Sequence, residues 1–335
     1  MNIAVTGSIA TDHLATFPGR FTDQLLPEHL ATISLSFLVD DLQVRSGGVA
    51  ANICFGLGRL GLTPLLVGAA GTDFADHDAR LRACGVNTAA VRRSTTRRTA
   101  RFMCTTDTDH NQIASFYPGA MTEAREIDLA EVADRAGPLD LVLVGPDEPE
   151  AMVRHTRAAR TAGIPLAADP SQQLARLERE SARLLVDGAR FLFTNAYESA
   201  LLRQLTGWSE DEVLARVGTW IVTRGADGVS LLTAGRPAAH VPAVPTDRPV
   251  DPTGVGDAFR AGFLAGHARA LPDERAAQLG CALAAVVLES TGTQEYTLRP
   301  GDLTDRLLRA YGPRAAQESG PWPGRRDTRP QPAPA

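Results

Sequence analysis

Residues Asp251-Pro-Thr-Gly-Val-Gly-Asp-Ala-Phe259 hold the densest chemistry in the chain. Turn-forming positions lead into Gly254 and Gly256, then the carboxylate of Asp257. An apolar run follows (Ala258, Phe259, Ala261, Gly262, Phe263, Leu264, Ala265) that is long enough for a buried helix. Glycine lets backbone approach a ligand closely, and the first N–H groups of a helix have no partner inside it. Gly254, Val255, Gly256 and Asp257 are therefore expected to form an anion cradle at a helix N-terminus. A carboxylate on the lip of such a cradle would repel a bound phosphate. It suits a general base that takes a hydroxyl proton while the cradle holds the developing charge. The same spacing fits an ordinary helix start with an acid favouring the dipole. Spacing alone leaves both readings open.

Other groups could act with it, each with a plainer alternative. Asp12, in Gly7-Ser-Ile-Ala-Thr-Asp12-His13, could accept two hydrogen bonds from vicinal hydroxyls or cap a turn. Gly47-Gly48-Val-Ala-Ala-Asn52 puts paired glycines before a helix and an amide in its first turns, and a sugar hydroxyl would satisfy that amide. Asn195-Ala-Tyr-Glu198 offers an amide and a carboxylate three residues apart, fit for phosphate and hydrated Mg²⁺ or for a helix capping box. Thr223-Arg-Gly-Ala-Asp-Gly228 could wrap phosphates with backbone N–H groups or be a hairpin turn. Gly56-Leu-Gly-Arg-Leu-Gly61 matches a dinucleotide fingerprint but lies inside a helical pattern, so close helix packing is its expected role.

The 34 basic residues are all arginine, since the chain contains no lysine. That excludes a P-loop lysine, a protein-kinase strand lysine and a Schiff base together. If phosphate is transferred, backbone N–H groups and arginine must do the work of lysine. A net charge of -5 and a pI near 5.8 argue against nucleic-acid or membrane-surface partners. Cys54, Cys84, Cys104 and Cys281 are scattered without metal-ligand spacing, and no HExxH or GxSxG occurs. The N-terminal residues lack signal-peptide character and no apolar run reaches a membrane span, so a soluble cytoplasmic protein is expected.

The elements that must position these groups alternate. Strand patterns at 2–7, 64–68, 139–145, 164–169, 190–195 and 220–225 are interleaved with helix patterns at 48–60, 73–83, 149–162, 177–186, 196–205 and 210–217. Alternation predicts an α/β fold with a mostly parallel sheet covered on both faces, and ligands beyond the carboxyl ends of its strands. Two strand-like stretches interrupt the pattern, Ile33–Val44 and Arg98–Thr106 with Gln112–Tyr117. They read as a small separate sheet, either a lid over the site or a surface hairpin. The Pro, Gly and Arg-rich residues 319–335 cannot build a core and are expected to be a disordered tail.

Taken together, Gly47-Gly48, Asn195-Ala-Tyr-Glu198, Thr223–Gly228 and Asp251–Phe259 resemble the ribokinase-like (PfkB) family of carbohydrate and nucleoside kinases. The last segment is similar to that family's D-T-x-G-A-G-D signature, with Pro252 for Thr and Val255 for Ala. The likeness runs in order from about residue 1 to about 315. Within the family, runs such as Ile113-Ala-Ser-Phe-Tyr-Pro-Gly-Ala-Met121 and Asp169-Pro-Ser-Gln-Gln173 look like those of actinobacterial adenosine kinases. The resemblance implies a three-layer α/β/α domain over 1–318 with lid strands from about 9–45 and 96–118. It implies ATP-dependent phosphorylation of the adenosine 5′-hydroxyl with Mg²⁺, K⁺ as an optional second ion, and a homodimer joined through the lid.

The resemblance carries roles position by position. Asp257 would be the base over an anion hole of Gly254, Val255 and Gly256. Ser8, Asp12, Gly48 and Asn52 would hold the ribose, with Ser36 approaching from the lid or from a partner subunit. Phe102 and Phe116 would sandwich the nucleobase, since flat aromatic faces stack on purines. Gln172 and Gln173 would add polar contacts. Asn195, Thr223, Gly225, Gly228 and Gly256 would bind ATP, and Glu198 would organise Mg²⁺ through water. Departures are visible too. Related sugar kinases carry Asp-Pro-Asn-x-Arg where this chain has Asp169-Pro-Ser-Gln-Gln, Arg176 falls three residues late, and Arg224 replaces an apolar residue. The rivals are a sugar kinase on the same fold, a nucleoside-binding protein without catalysis, and a dimer module built on the lid sheet.

Overall fold

The structure, a computed structural model, describes residues 1–25, 32 and 35–322. Thirteen strands form, β1 (Ile3–Thr6), β2 (Ala10–Thr16), β3 (Asp41–Gly47), β4 (Leu65–Ala70), β5 (Val91–Arg93), β6 (Ala100–Thr106), β7 (Gln112–Tyr117), β8 (Leu141–Val144), β9 (Leu166–Ala168), β10 (Phe191–Asn195), β11 (Thr219–Thr223), β12 (Val229–Leu232) and β13 (Ala239–Val241). Eleven helices accompany them, α1 (Phe21–Gln24), α2 (Val49–Arg59), α3 (Ala75–Ala83), α4 (Leu129–Ala136), α5 (Pro149–Thr161), α6 (Arg179–Val186), α7 (Ala196–Thr206), α8 (Glu210–Leu214), α9 (Val255–Ala268), α10 (Asp273–Leu288) and α11 (Asp302–Ser319).

The large sheet has the order β13-β12-β11-β10-β9-β8-β1-β4-β5. It is parallel from β5 through β11, and β12 and β13 close it antiparallel. Its central strands β1, β4, β8 and β9 are buried on both faces, as a sheet covered twice requires. Ile3 and Val5 pack with α2, α9 and α10 residues on one side, while Ala4 packs with α5 and α6 residues on the other. Leu141 and Leu143 alternate with Val142 and Val144 in the same way. The strand order reverses between β8 and β1, where a doubly wound sheet leaves a crevice. There Ser8 N donates to Pro146 O at 3.0 Å, joining the two diverging strand ends.

Helices α9 and α10 run together where side chains are smallest. A Cβ on Gly262 would lie 2.7 Å from Gly280 Cα, so the two backbones touch. Gly56 faces Ala261 of α9 and Gly58 faces Cys84 O, so the fingerprint-like glycines of α2 serve helix packing as expected.

The second sheet, β3-β2-β6-β7, stands over the crevice. Its register puts Asp12, Arg45, Phe102 and Phe116 in one row, facing the crevice. The opposite face carries Leu42, Val44, Met103, Ile113 and Tyr117, all at least 39% exposed. Strand β3 differs from the expected Ile33–Val44. It covers Asp41–Gly47, because β2 offers partners only as far as Thr16 opposite Asp41. Before Asp41 no strand forms over residues 35–40, and Phe37 packs on Phe17 and Phe21 instead (ring centroids 5.2 and 5.3 Å). Ile33 and Ser34 lie outside the described residues. β2 lies within the 9–45 span that the resemblance gave to the lid, although the residue pattern did not mark it as a strand. Residues 319–322, placed in the expected tail, belong instead to the folded part. α11 runs to Ser319, and Trp322 is buried under the Arg269 guanidinium, 3.6 Å from its ring centre, because an indole adds apolar area to the core. Residues 323–335 lie outside the described part.

Candidate active site

A cavity of about 450 Å³ opens at the strand reversal, between the large sheet and the small one. Its floor is built by two helix N-termini. Helix α2 starts after Gly48, whose φ of 96° and missing side chain are both required, since a Cβ would lie 2.6 Å from Ala10 N and Ser8 O. Ser8 caps this helix from a distance: its Oγ accepts from Val49 N at 3.0 Å, leaving its own O–H to donate. Helix α9 starts at Gly254, left-handed at φ 75° and pressed against Thr293. No side chain caps it, and among the described residues no protein acceptor takes the N–H of Gly256 or Asp257. Unpartnered donors of this kind are what the anion cradle expected from the sequence would need.

Asp257 sits in the first turn and opens onto the cavity. Its Oδ2 accepts from Asn52 Nδ2 at 2.8 Å, and Oδ1 has no protein partner. Burial pushes its pKa up to about 6; Arg260 and the Asn52 hydrogen bond pull down, and Asp12 and Glu198 push up. A carboxylate ionised at neutral pH yet this close to titrating is a competent proton acceptor. Asp12 is likewise lifted to about 6, by burial first and then by Glu295 and Asp251, and its carboxylate makes no hydrogen bond to the described residues.

The carboxylate Asp169 follows β9 and is fully buried. It meets Arg260 of α9 in a two-point pair, Nε to Oδ2 at 2.5 Å and Nη2 to Oδ1 at 2.7 Å. Burial drives the Asp169 pKa up to about 7 while Arg260 pulls it down. Burial opposes the charge on Arg260 too, but Asp169 and Asp257 outweigh it and raise its pKa. Arg260 therefore stays cationic and balances a site that gathers Asp169, Asp257 and Glu198.

Between Asp169 and the cavity, Ser171 is held at φ 46°, a strained value for a residue with a side chain. Its hydroxyl contacts Gln172 Oε1 at 2.6 Å and Glu198 Oε1 at 3.3 Å. Gln173 Nε2 donates to Asp147 O at 2.6 Å, which fixes the amide so that Oε1 is a buried acceptor without a partner.

The cavity gathers Ser8, Asp12, Gly48, Asn52, Phe102, Phe116, Gln172, Gln173, Gly254 and Asp257. Arg176, unassigned by sequence, also reaches it, and its exposed guanidinium has no ion pair among the described residues. One residue expected on the substrate lies elsewhere. Ser36 is exposed and does not line the cavity. Asn52, expected on the ribose, lines the cavity, and its amide also donates to Asp257 and accepts from Gln294, leaving a second N–H and a second lone pair. Phe102 and Phe116 are cross-strand neighbours on one face without ring contact, so they form an apolar wall rather than two opposed plates.

After β10, Asn195 and Glu198 close a capping box on α7. Ser171 is the second partner of Glu198. Thr223, Gly225 and Gly228 lie in the β11–β12 hairpin, and Gly228 lacks a side chain because one would press into Val241 O. Gly225 has open space beside it. Sequence reasoning missed Arg260, Gln294 and His77. An arginine inside the apolar run of α9 was the readable signal, since a buried arginine needs a carboxylate.

A family model of the pfkB family carbohydrate kinases matches residues 11–299, and the chain belongs to that family. It is thus a phosphotransferase of the ribokinase-like fold. The chain is similar to the nucleoside kinase of Burkholderia thailandensis, solved in complex with inosine, at 36% identity and a TM-score of 0.82, covering 92% of this chain and 98% of that one. The same enzyme in complex with ADP-inosine gives 34% identity and a TM-score of 0.80, with 98% and 100% covered. A nucleoside kinase of Methanothermobacter thermautotrophicus is 30% identical over 274 residues, 79% of this chain and 85% of its own.

Removing one member of the buried pair strands the other. Arg260→Met is expected to destabilise the fold by roughly 3–5 kcal/mol, and the Arg260→Met, Asp169→Leu double variant by clearly less. Urea denaturation checks this, and an unchanged midpoint for Arg260→Met would contradict it.

Proposed function

We propose that this chain is an ATP-dependent nucleoside kinase that phosphorylates the 5′-hydroxyl of a purine nucleoside, adenosine first. The observation that carries it is Asp257, a carboxylate with one oxygen free, at the mouth of a helix whose first N–H groups have no partner. Asp257 would take the hydroxyl proton as the oxygen bonds the terminal phosphorus of ATP and the bond to ADP breaks. The N–H groups of Gly256 and Asp257 would hold the charge on the transferred group. Arg176, the unpaired arginine at the cavity, suits the same phosphate.

A nucleoside fits the remaining walls. Asp12 and Ser8 offer an acceptor and a donor for ribose hydroxyls, and Phe102 and Phe116 offer apolar faces that a free sugar cannot use. The locked Oε1 of Gln173 accepts an N–H, which either the amino group of adenine or the ring N–H of hypoxanthine supplies. The inosine complex of the Burkholderia enzyme makes inosine the second reading. Glu198, whose carboxylate accepts from the Asn195 N–H, would hold Mg²⁺ through water, and that ion would neutralise the phosphates of ATP. Asn195, Thr223, Gly225 and Gly228 line the side from which ATP would enter.

ADP release with adenosine, inosine, guanosine, ribose and fructose in parallel tests the reading. Turnover on a purine nucleoside well above that on either sugar is expected. Preference for a free sugar would contradict it, leaving the fold and Asp257 in place.

The outer face of the small sheet supports a homodimer. Leu42, Val44, Met103, Ile113 and Tyr117 make an exposed apolar face of a size monomers rarely leave bare. Sedimentation is expected to give a dimer that Val44→Asp with Met103→Asp converts to monomer. A wild-type monomer would overturn this.

A further inference from the structure

Behind the base lies a buried chain of polar side chains that the reaction as described does not use. Asn52 Nδ2 donates to Asp257 Oδ2 at 2.8 Å, and Gln294 Nε2 donates to Asn52 Oδ1 at 2.8 Å. Gln294 Oε1 then meets His77 Nε2 at 3.1 Å. His77, Gln294 and Asn52 are all at least nine-tenths buried. They come from α3, the loop after α10 and α2, so the chain ties three separate segments to one carboxylate.

Its direction is fixed by chemistry. An ionised carboxylate only accepts, so Asn52 must turn its N–H₂ to Asp257 and its oxygen away. That oxygen needs a donor, which Gln294 supplies, and the oxygen of Gln294 then needs the Nε2–H of His77. His77 can serve only as the neutral tautomer with its proton on Nε2. Burial holds its pKa down near 4, and its Nδ1 is buried without a partner. Phe74 packs edge-on to the ring at 5.3 Å, and Arg80 pins the other end by donating to Gln294 O at 2.9 Å. Turned the other way, the Asn52 amide would aim an oxygen at the carboxylate and could be accommodated only with Asp257 protonated.

We infer that His77 and Gln294 are positioning residues for the base: they lock the Asn52 amide with its N–H toward Asp257, so that the carboxylate stays ionised with Oδ2 held and Oδ1 left to the substrate. The role of Asp257 as base rests on the kinase reading; the locking of its ionisation does not. The charged groups facing Asp257 are Arg260 on its own helix, Asp12 from the small sheet and Glu198 from α7, with Asp169 behind Arg260. Around the far end stand Arg80, Asp78 and Glu295. Changes at His77 alter none of these, whereas Gln294→Glu adds a carboxylate whose own charge also raises the Asp257 midpoint, so His77→Phe against His77→Gln is the uncharged comparison.

The test follows the carboxyl-carbon resonance of Asp257 through a pH titration, assigned by its loss in Asp257→Asn. Gln294→Glu puts an acceptor-only group where a donor is required and draws the Asn52 N–H away. His77→Phe keeps a ring and removes the donor, and His77→Gln keeps a donor. The Asp257 midpoint is expected to rise by on the order of one pH unit in Gln294→Glu, the effect of losing one hydrogen bond to a charged group, and by less in His77→Phe. His77→Gln is expected near wild type. If a purine nucleoside is the substrate, the acid limb of kcat moves with the midpoint while KM for ATP stays. Midpoints at the wild-type value in both Gln294→Glu and His77→Phe overturn the inference, as does a loss of kcat equal at every pH with no midpoint shift. Should Gln294→Glu not fold, His77→Phe against His77→Gln decides. A wild type inactive on every nucleoside would instead sink the kinase reading and leave the titration to judge the chain by itself.

Discussion

Three carboxylates, Asp169, Glu198 and Asp257, converge below the cavity, and one buried guanidinium, Arg260, makes that arrangement tolerable. Like charges in a partly dry site repel by several kcal/mol, and an unpaired buried charge costs about as much. The sheet cannot supply the compensating cation, since its central strands are buried on both faces. Helix α9 does, by placing Arg260 one turn after Asp257, so that a single helix brings the buried carboxylate, the unpartnered N–H groups and the counter-charge. The close contact of α9 with α10 through Gly262 and Gly280 then fixes where that helix points.

Much of this could be read in the sequence because it is local. The cradle at Gly254–Asp257, the alternating strands and helices, and the polar strand ends all follow from neighbours in the chain. What could not be read depends on distant partners. Asn52 and Gln294 join segments 242 residues apart, and neither amide betrays its partner by spacing. Arg260 stood out within its apolar run, but its partner Asp169, 91 residues away, could not be read from spacing. Strand β2, with Thr11, Asp12 and His13 at its centre, has no apolar alternation of its own and exists because β3 and β6 flank it. The start of β3 was misplaced for the same reason, since a strand ends where its partner ends.

The two walls of the cavity differ in kind. The floor is fixed by buried pairs, a strained Ser171 and glycines with no room for a side chain. The small sheet above has strands β3 and β7 largely exposed and is rooted by few contacts, Ala10, Ala100 and Met121 among them. Asp12 therefore hangs from the less constrained wall, while Asp257 belongs to the rigid one. Thr293 links the walls, with its hydroxyl on Ser46 O and its side chain against Gly254, so movement of the upper sheet is felt at the start of α9.

The most direct measurement is single-turnover phosphoryl transfer from ATP to adenosine by Asp257→Asn, alongside adenosine binding by calorimetry. Asparagine keeps the shape and the place in the helix but cannot take a proton. Transfer is expected to fall by about 10²–10⁴-fold, the usual worth of a positioned base, with the dissociation constant for adenosine within about threefold of wild type. Transfer at the wild-type rate would show that Asp257 is a helix-start residue and not the base.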